Sequence, residues 1–381
     1  AVMARLDELC TINMGQSPDS STYNEDGSGL PFFQGNADFG ATHPVVRMWC
    51  SEPVKRAQKE DILISVRAPI GALNIADGEC CIGRGLAALT VNQENCIQKY
   101  LWYALSNKVA ELNAKGTGST FKAINKKILA ETQIPLPPLD EQRKIAAVLD
   151  KVSGLIAKRR QQLDKLDLLV KSKFVEMFGD PVNNPKQWST LSLRDAGSRL
   201  SDGPFGSNLK SEHYTAEGVR VIRLGNIGVG KFIDNDKSYI SKQHYEKLKK
   251  YTCKAGEIVV ATLGEPNLRA CLVPQRIEYA INKADCVHYI PKKELLNTRF
   301  VCQYINCPET LLLASGMVHG QTRSRISSGQ LAEMKIFVPP MELQEQFAAF
   351  AEQTEKTKTT ISRNLEKLET LKKALMQEYF E

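Results

Sequence analysis

Ile134-Pro-Leu-Pro-Pro-Leu-Asp-Glu-Gln-Arg-Lys-Ile-Ala146 returns 202 positions later as Ile336-Phe-Val-Pro-Pro-Met-Glu-Leu-Gln-Glu-Gln-Phe-Ala348. The match extends both ways at the same offset, from Gly118 and Gly320 to Phe178 and Phe380, with 19 identities over the 61 positions 118–178. Ordinary composition yields only a few such identities, so the chain is a tandem duplication. Each copy reads as a short apolar strand (Ile134 to Leu136; Ile336 to Val338), a Pro-Pro stop, and a long helical pattern. After Pro138 the pattern holds no Pro and one Gly until Gly179-Asp180-Pro181, and after Pro340 neither residue recurs. Two helices of about 40 residues are predicted.

Apolar residues recur at 3-4 spacing in both: Ile145, Leu149, Val152, Ile156, then Arg159, Leu163, Leu166 and Val170; and Phe347, Phe350, Thr354, Thr357, Ile361, Asn364, Leu368, Leu371 and Leu375. This is a coiled-coil seam. Its polar members either specify register and partner or mark a frayed, partly exposed stretch. A further stripe at Val148, Leu155, Leu169, Phe174 and Phe178 makes the first helix too apolar for one neighbour, which predicts a second, partner-binding face there.

Ahead of each helix lie roughly 140–160 residues with short β-type runs (Asp61 to Val66, Leu86 to Val91; Val219 to Leu224, Glu257 to Thr262) between Gly, Asn and Ser clusters. The predicted class is α+β: two globules, 1–138 and 181–340, alternating with helices 139–180 and 341–381. The globules resemble each other far less than the helices do, with faint echoes such as Gln34-Gly35-Asn36 beside Leu224-Gly225-Asn226. Conserved helices with divergent globules suggest one shared scaffold task and two recognition tasks.

The chain has 381 residues, 42% hydrophobic and 24% charged, and a net charge of +7. Those values exclude wholesale disorder and suit a polyanionic partner without requiring one. Ten cysteines form no CxxC pair and five histidines are scattered, which implies no zinc site and suits a reducing, cytoplasmic setting. No run is long enough to cross a bilayer, and Ala1-Val2 ahead of Met3 reads as an added remnant.

Catalytic motifs are missing. Gly225-Asn-Ile-Gly-Val-Gly230-Lys231 satisfies G-x-x-x-x-G-K, but Phe232 stands where a phosphate-binding loop needs Ser or Thr and the following residues read as strand. GxGxxG, HExxH, GxSxG and the Asn/Asp-Pro-Pro-aromatic string of adenine methyltransferases are absent. What remains are polar and basic loops. Arg67 and Arg84 flank strands, and Lys115-Gly-Thr117-Gly-Ser119-Thr-Phe-Lys122, with Lys126, matches the place of Gln321-Thr322-Arg323-Ser-Arg325 before the repeated strand. Gln16, Ser17, Tyr23, Gln34 and Asn36 in the first globule, and Phe205, Ser207, Asn208, Lys210, Arg223, Asn226 and Arg269 in the second, complete the candidate DNA-contacting set. Glycines admit a close backbone, hydroxyls and amides donate, and cations neutralise phosphate. Singly, such strings are ordinary solvated turns; at matched positions in two globules they suit two half-sites on a duplex.

At these residues the chain resembles the specificity subunit of type I restriction-modification systems. The resemblance spans nearly the whole chain and rests on the two Pro-Pro strings, Asn13-Met-Gly-Gln-Ser17, Phe32-Phe-Gln-Gly35 and Asp61-Ile-Leu-Ile-Ser-Val-Arg-Ala-Pro69. It implies two target-recognition domains reading a bipartite double-stranded DNA site, with the long helices packed antiparallel in pseudo-twofold symmetry as a spacer. It also implies no catalysis and no bound cofactor in this chain. Two methylation subunits, and restriction subunits where present, would supply S-adenosylmethionine, Mg and ATP chemistry. The alternatives are a stand-alone nuclease or methyltransferase with an unrecognised motif, and a coiled-coil structural protein.

Overall fold

The computed structural model describes residues 2–118, 122–315 and 325–381. The chain forms two compact units, Ala1–Arg160 with Arg363–Glu381, and Gln161–Ser362. Both long helices form as expected, over Leu139–Phe178 and Met341–Phe380. The first ends where the sequence places its stop: Gly179 takes a left-handed φ of +81° and its N–H donates to the Val175 carbonyl at 2.8 Å.

The described residues of the first unit form three sheets. Met3–Arg5 pairs with Gln133–Pro135. A four-stranded antiparallel sheet runs Cys10–Met14, Leu86–Val91, Ile62–Ser65, Leu73–Ile75. A five-stranded sheet runs Tyr23–Asn24, Trp49–Cys50, Leu30–Phe33, Cys80–Ile82, Arg56–Ala57, with one parallel pair, Leu30–Phe33 beside Cys80–Ile82. The second unit repeats this order strand for strand: Thr190–Ser192 with Lys335–Phe337; then Gly197–Ser201, Cys286–Pro291, Ile258–Ala261, Arg269–Leu272; then Tyr214–Thr215, Ser238–Ile240, Val219–Ile222, Tyr279–Asn282, Thr252–Lys254, again with one parallel pair. The globules therefore share a fold although their sequences barely echo each other.

The continuous apolar strands have a simple cause. In Ile62-Leu63-Ile64, residues 62 and 64 enter the core beneath the helices, while Leu63 enters the core under the five-stranded sheet with Leu86 and Ala88. Ile258 and Val260 part from Val259 and Ala261 in the same way. A sheet buried on both faces needs apolar residues at every position. All ten cysteines are free and buried, and burial pushes thiols such as Cys10, Cys80 and Cys96 up to about 12.

The repeated Pro-Pro string is explained by its glutamine. Gln142 is fully buried, and its amide donates to the carbonyls of Asn95 (3.0 Å) and Pro137 (2.8 Å) while its Oε1 accepts from the Ile97 N–H (2.8 Å). Gln344 does the same with Leu295 (3.0 Å), Pro339 (2.8 Å) and the Asn297 N–H (2.8 Å). One side chain thus ties the start of the long helix to the loop that opens an earlier helix, Gln98–Asn107 or Thr298–Ile305.

Chain order does not decide which residues share a core. In the first unit Phe380 lies at a ring separation of 5.3 Å from Tyr100, and Leu375 and Met376 join the core of Ile145 and Leu149. In the second unit Phe174 and Phe178, each 0% exposed, pack on Phe300 (5.5 and 4.8 Å) and Phe347 (5.3 and 5.8 Å). These two phenylalanines are core residues and are withdrawn from the partner-binding set, because the helix end to which they belong is already covered within the second unit. Each compact unit takes part of both long helices, which divide at Arg160/Gln161 and Ser362/Arg363. Within the first unit Arg160 meets Glu369 (2.7 Å), and within the second Lys358 meets Asp167 (2.7 Å). With the aromatic pairs, these contacts make the helices antiparallel in each unit.

The first-helix seam agrees with expectation, Ile145, Leu149, Val152 and Ile156 being buried. The second is shifted by one residue at every other step: Thr357 and Asn364 are exposed and Leu371 is 47% exposed, whereas Lys358, Leu365 and Lys372 are half-buried. Lysine stems fill seam space while their ends escape. Lys358 does so against the cost of burial, which Asp167 and Glu355 outweigh, holding its ammonium above its usual range. Thr354 is buried and satisfies its hydroxyl on the Phe350 carbonyl at 2.9 Å.

Replacing Gln142 or Gln344 by Ala strands buried backbone groups and should cost about 2–3 kcal/mol. Urea unfolding should show the loss in a different unit for each variant. Phe174→Ala should cost about 3–5 kcal/mol, whereas Leu169→Ala, 47% exposed, should stay within about 0.5 kcal/mol. The same unfolding curves compare them.

Candidate nucleic-acid interface

In the first unit, backbone hydrogen bonds gather five segments at the strand ends. Gly15 N–H donates to the Leu86 carbonyl (2.9 Å) and Gln16 N–H to that of Ile82 (3.0 Å). Gly83 N–H reaches the Phe33 carbonyl (2.8 Å) and Gly85 N–H that of Gln34 (3.2 Å), while Arg84 N–H donates to Ser17 Oγ (3.2 Å). Val66 N–H then reaches the Gly85 carbonyl (2.9 Å), Ala68 N–H that of Lys122 (3.0 Å), and Arg67 and Thr117 both bridge to Ala123. Gly85 is required, since a Cβ there would run into the Gln34 carbonyl.

This network brings Gln16, Ser17, Gln34, Arg67, Arg84, Thr117 and Lys122 to one loop cluster. All are exposed except Ser17, which is half-buried. Lys126 is exposed in the first turn of a short helix capped by Asn125, and Lys115 is exposed but ion-paired to Glu111 at 2.7 Å. Tyr23 is more structural: its ring stacks on Phe32 at 4.7 Å and its hydroxyl donates to the Pro18 carbonyl at 3.0 Å. Asn36 is half-buried at the start of a 3₁₀ turn, Asn36–Asp38.

The second unit builds the same cluster. Lys283 N–H donates to the Ile222 carbonyl (2.9 Å), Asp285 N–H to Asp202 Oδ1 (2.9 Å), Thr262 N–H to the Asp285 carbonyl (3.1 Å), and Leu263 bridges to Arg325. Its electrostatics are more balanced. Arg325 is exposed but paired to Asp285 at 2.7 Å, and Arg223 to Asp236 at 2.9 Å. Burial pushes Asp202 above the usual carboxylate range. An extra 3₁₀ turn, Gly206–Asn208, lengthens the first loop and carries Phe205, 49% exposed, with Ser207, Asn208 and Lys210, all exposed.

Two expected contact residues are corrected. Asn226 is 0% exposed, and its amide is consumed by the carbonyls of Ile233 (2.9 Å) and Asp236 (2.8 Å) and by the Arg223 N–H (2.9 Å). Arg269 spends its guanidinium on the carbonyls of Ile227 (2.6 Å), Leu263 (3.0 Å), Pro266 (2.7 Å) and Leu224 (3.1 Å), and burial lowers its pKa. Both hold loops together from inside. Ser119, Gln321, Thr322 and Arg323 lie outside the described residues. The Gly225–Lys231 string forms a hairpin, with Ile227 bridged to Phe232 and Gly228 N–H on the Lys231 carbonyl (2.9 Å), so it presents no helix N-terminus to a phosphate.

Sequence reasoning missed Lys283 and Tyr214. The ammonium of Lys283 and the guanidinium of Arg223 lie 5.8 and 5.9 Å from the Tyr214 ring centre. No repeat identity flags either residue; only the shared strand order shows that Lys283 stands where the first unit has Gly83. On the long helices Val148, Leu155 and Leu169 are exposed, joined by Leu168 and Val175. No described helix is long and apolar enough to cross a membrane, and no group of described His, Cys, Asp or Glu side chains is arranged to hold a metal.

Residues 2–167 and 206–371 each match the family described as the type I restriction modification DNA specificity domain. A putative type I restriction enzyme MjaX specificity subunit of Methanocaldococcus jannaschii is 46% identical over 156 residues, an alignment spanning 41% of this chain and 37% of that relative. The MjaVIII specificity subunit of the same organism is 25% identical across 78% of this chain and 74% of its own. Among solved structures, the S subunit of a type I restriction-modification system from M. genitalium covers 100% of this chain and 96% of its own, with a TM-score of 0.62 at 16% identity, a likeness of fold. With two copies of the domain that together account for most of its length, this chain belongs to the type I restriction-modification specificity-subunit family.

Proposed function

We propose that this chain is the non-catalytic, sequence-specific DNA-recognition subunit of a cytoplasmic type I restriction-modification complex, each unit reading one half of a bipartite double-stranded site. The observation that carries this is the pair of loop clusters, built by equivalent hydrogen bonds in two units of one topology yet lined by different side chains. Equivalent backbones present the duplex with one geometry, and different side chains ask it for different bases. Arg67, Arg84 and Lys122 neutralise phosphates and set the register of the first unit, a task that carries no base information. In the second unit Arg325 and Lys283 take that part, Arg325 exchanging Asp285 for phosphate. The bases themselves are read by amide, hydroxyl and guanidinium groups reaching their edges.

Chemistry comes from partners. Two methylation subunits dock on the long helices, where Val148, Leu155 and Leu169 leave apolar surface in water. They use S-adenosylmethionine, and restriction subunits, where present, use ATP and Mg. The family membership and the absence of any catalytic motif in the sequence support this division of labour. A stand-alone enzyme is the competing reading, and DNA turnover by the isolated chain would favour it.

The isolated chain should bind duplex DNA with an affinity that falls steeply with salt. Replacing Arg67, Arg84 and Lys122 together by Ala should flatten the slope of log K against log salt by about three units. An unchanged slope would remove the first cluster from the interface. Arg269→Met should leave that slope alone while lowering stability by about 2–4 kcal/mol, because four carbonyls lose their donor. Co-expression with the methylation subunit should yield an assembly of two such subunits to one of this chain by native mass measurement. Leu155→Asp with Leu169→Asp should dissolve it without unfolding either unit.

A further inference from the structure

Gln34 and Arg223 occupy the same place in the two units. Each follows the strand that forms the parallel pair, and the carbonyl just before it accepts from Gly83 N–H (2.8 Å) or Lys283 N–H (2.9 Å). Its own N–H is held by a side chain at the end of the next 3₁₀ turn, Asp38 Oδ2 (2.8 Å) or Asn226 Oδ1 (2.9 Å). The carbonyls of Asp38 and Asn226 then accept from Val45 and Ile233, both at 2.8 Å, across matching hairpins, Phe39 bridged to Pro44 and Ile227 to Phe232. The earlier pairing of Asn36 with Asn226 is replaced: Asn226 is the counterpart of Asp38, and Arg223 that of Gln34.

What differs is the chemistry on this shared frame. Gln34 is exposed, and its side-chain amide has no hydrogen-bond partner among the described residues. Arg223 is held through Nη1 alone, on Asp236 Oδ2 (2.9 Å) and Ser238 Oγ (3.2 Å), leaving the Nε–Nη2 edge without a partner among the described residues. The ion pair with Asp236 orients the guanidinium and leaves its two parallel donors, Nε and Nη2, beside the Tyr214 ring with no partner among the described residues. A cation accompanies both positions, Arg84 between the glycines that approach Gln34, and Lys283 5.8 Å from the centre of the Tyr214 ring.

A glutamine amide offers one donor and one acceptor, the complement of adenine N7 and N6; a guanidinium edge offers two donors, the complement of guanine N7 and O6. We propose that Gln34 and Arg223 are one base-reading position present twice, Gln34 specifying an adenine in one half-site and Arg223 a guanine in the other. The cations beside them hold the backbone so that these two side chains meet base edges. The proposal rests on the reading of this chain as a DNA-recognition subunit and goes beyond it to residues and bases.

The test uses the full chain assembled with its methylation subunits, and modification-sensitive sequencing of the DNA it methylates. A wild-type complex that methylates no bipartite motif would overturn both the reading and this proposal; a bipartite motif keeps the reading and isolates the proposal. Gln34→Ala should relax a single A·T position in one half-site, with a ten- to hundredfold loss of discrimination and an unchanged salt slope. Arg223→Lys should relax a single G·C position in the other half-site, because the charge stays while the two-donor edge is lost. Gln34→Arg should convert the first position from A·T to G·C, a gain of function that a folding defect cannot imitate. Unchanged stringency in these variants, relaxation confined to one shared half-site, or uniform weakening at all sites with a flatter salt slope would each overturn the proposal.

Discussion

Two buried amides hold this architecture in register. Gln142 and Gln344 each satisfy three backbone groups that would otherwise be stranded where the strand, the proline turn and the long helix meet. A buried, fully satisfied polar group tolerates little displacement, because a lost bond in low dielectric costs the whole desolvation of its partner. The long helix therefore leaves each globule at a set point, and its apolar face arrives in a set phase. That phase puts Ile145 and Leu149 under Phe380 in one unit and Phe347 under Phe174 and Phe178 in the other.

The same rigidity explains why recognition chemistry sits at strand ends. The central strands Ile62–Ser65 and Ile258–Ala261 of the four-stranded sheets are buried on both faces, so their residues are spoken for by packing, and variation is left to the loops. Within those loops the structure separates two kinds of polar residue. Asn226 and Arg269 turn inward and stitch the loops together; Gln34, Arg67, Arg84 and Lys122 turn outward. Residue type does not distinguish them, since an arginine serves as clamp in one place and as exposed cation in another. The difference is the number of carbonyls within reach, and only the folded backbone sets that number.

The sequence by itself determined the duplication, the two 40-residue helices and their boundaries, the α+β class, and the loops that carry exposed cations. These follow from local rules: Pro-Pro and Gly punctuate, apolar residues recur at helical spacing, and identical strings at a constant offset leave no other reading. It placed Ile145 through Ile156 in the seam because a strong apolar stripe admits one phase. It misplaced the second seam because Lys358 and Lys372 are seam residues by their stems, and a hydrophobic pattern counts them as charges.

Tertiary structure alone decided the rest. That the globules share one strand order was invisible, because a topology is kept by the alternation of buried positions, which many sequences satisfy, whereas Gln142 and Gln344 make matching hydrogen bonds that need that one side chain. That Phe174 and Phe178 are core residues depends on which globule the far end of the helix meets, a long-range pairing that no local pattern encodes. The equivalence of Gln34 with Arg223 emerges for the same reason, since positions linked by a network of backbone hydrogen bonds can correspond where their side chains share nothing.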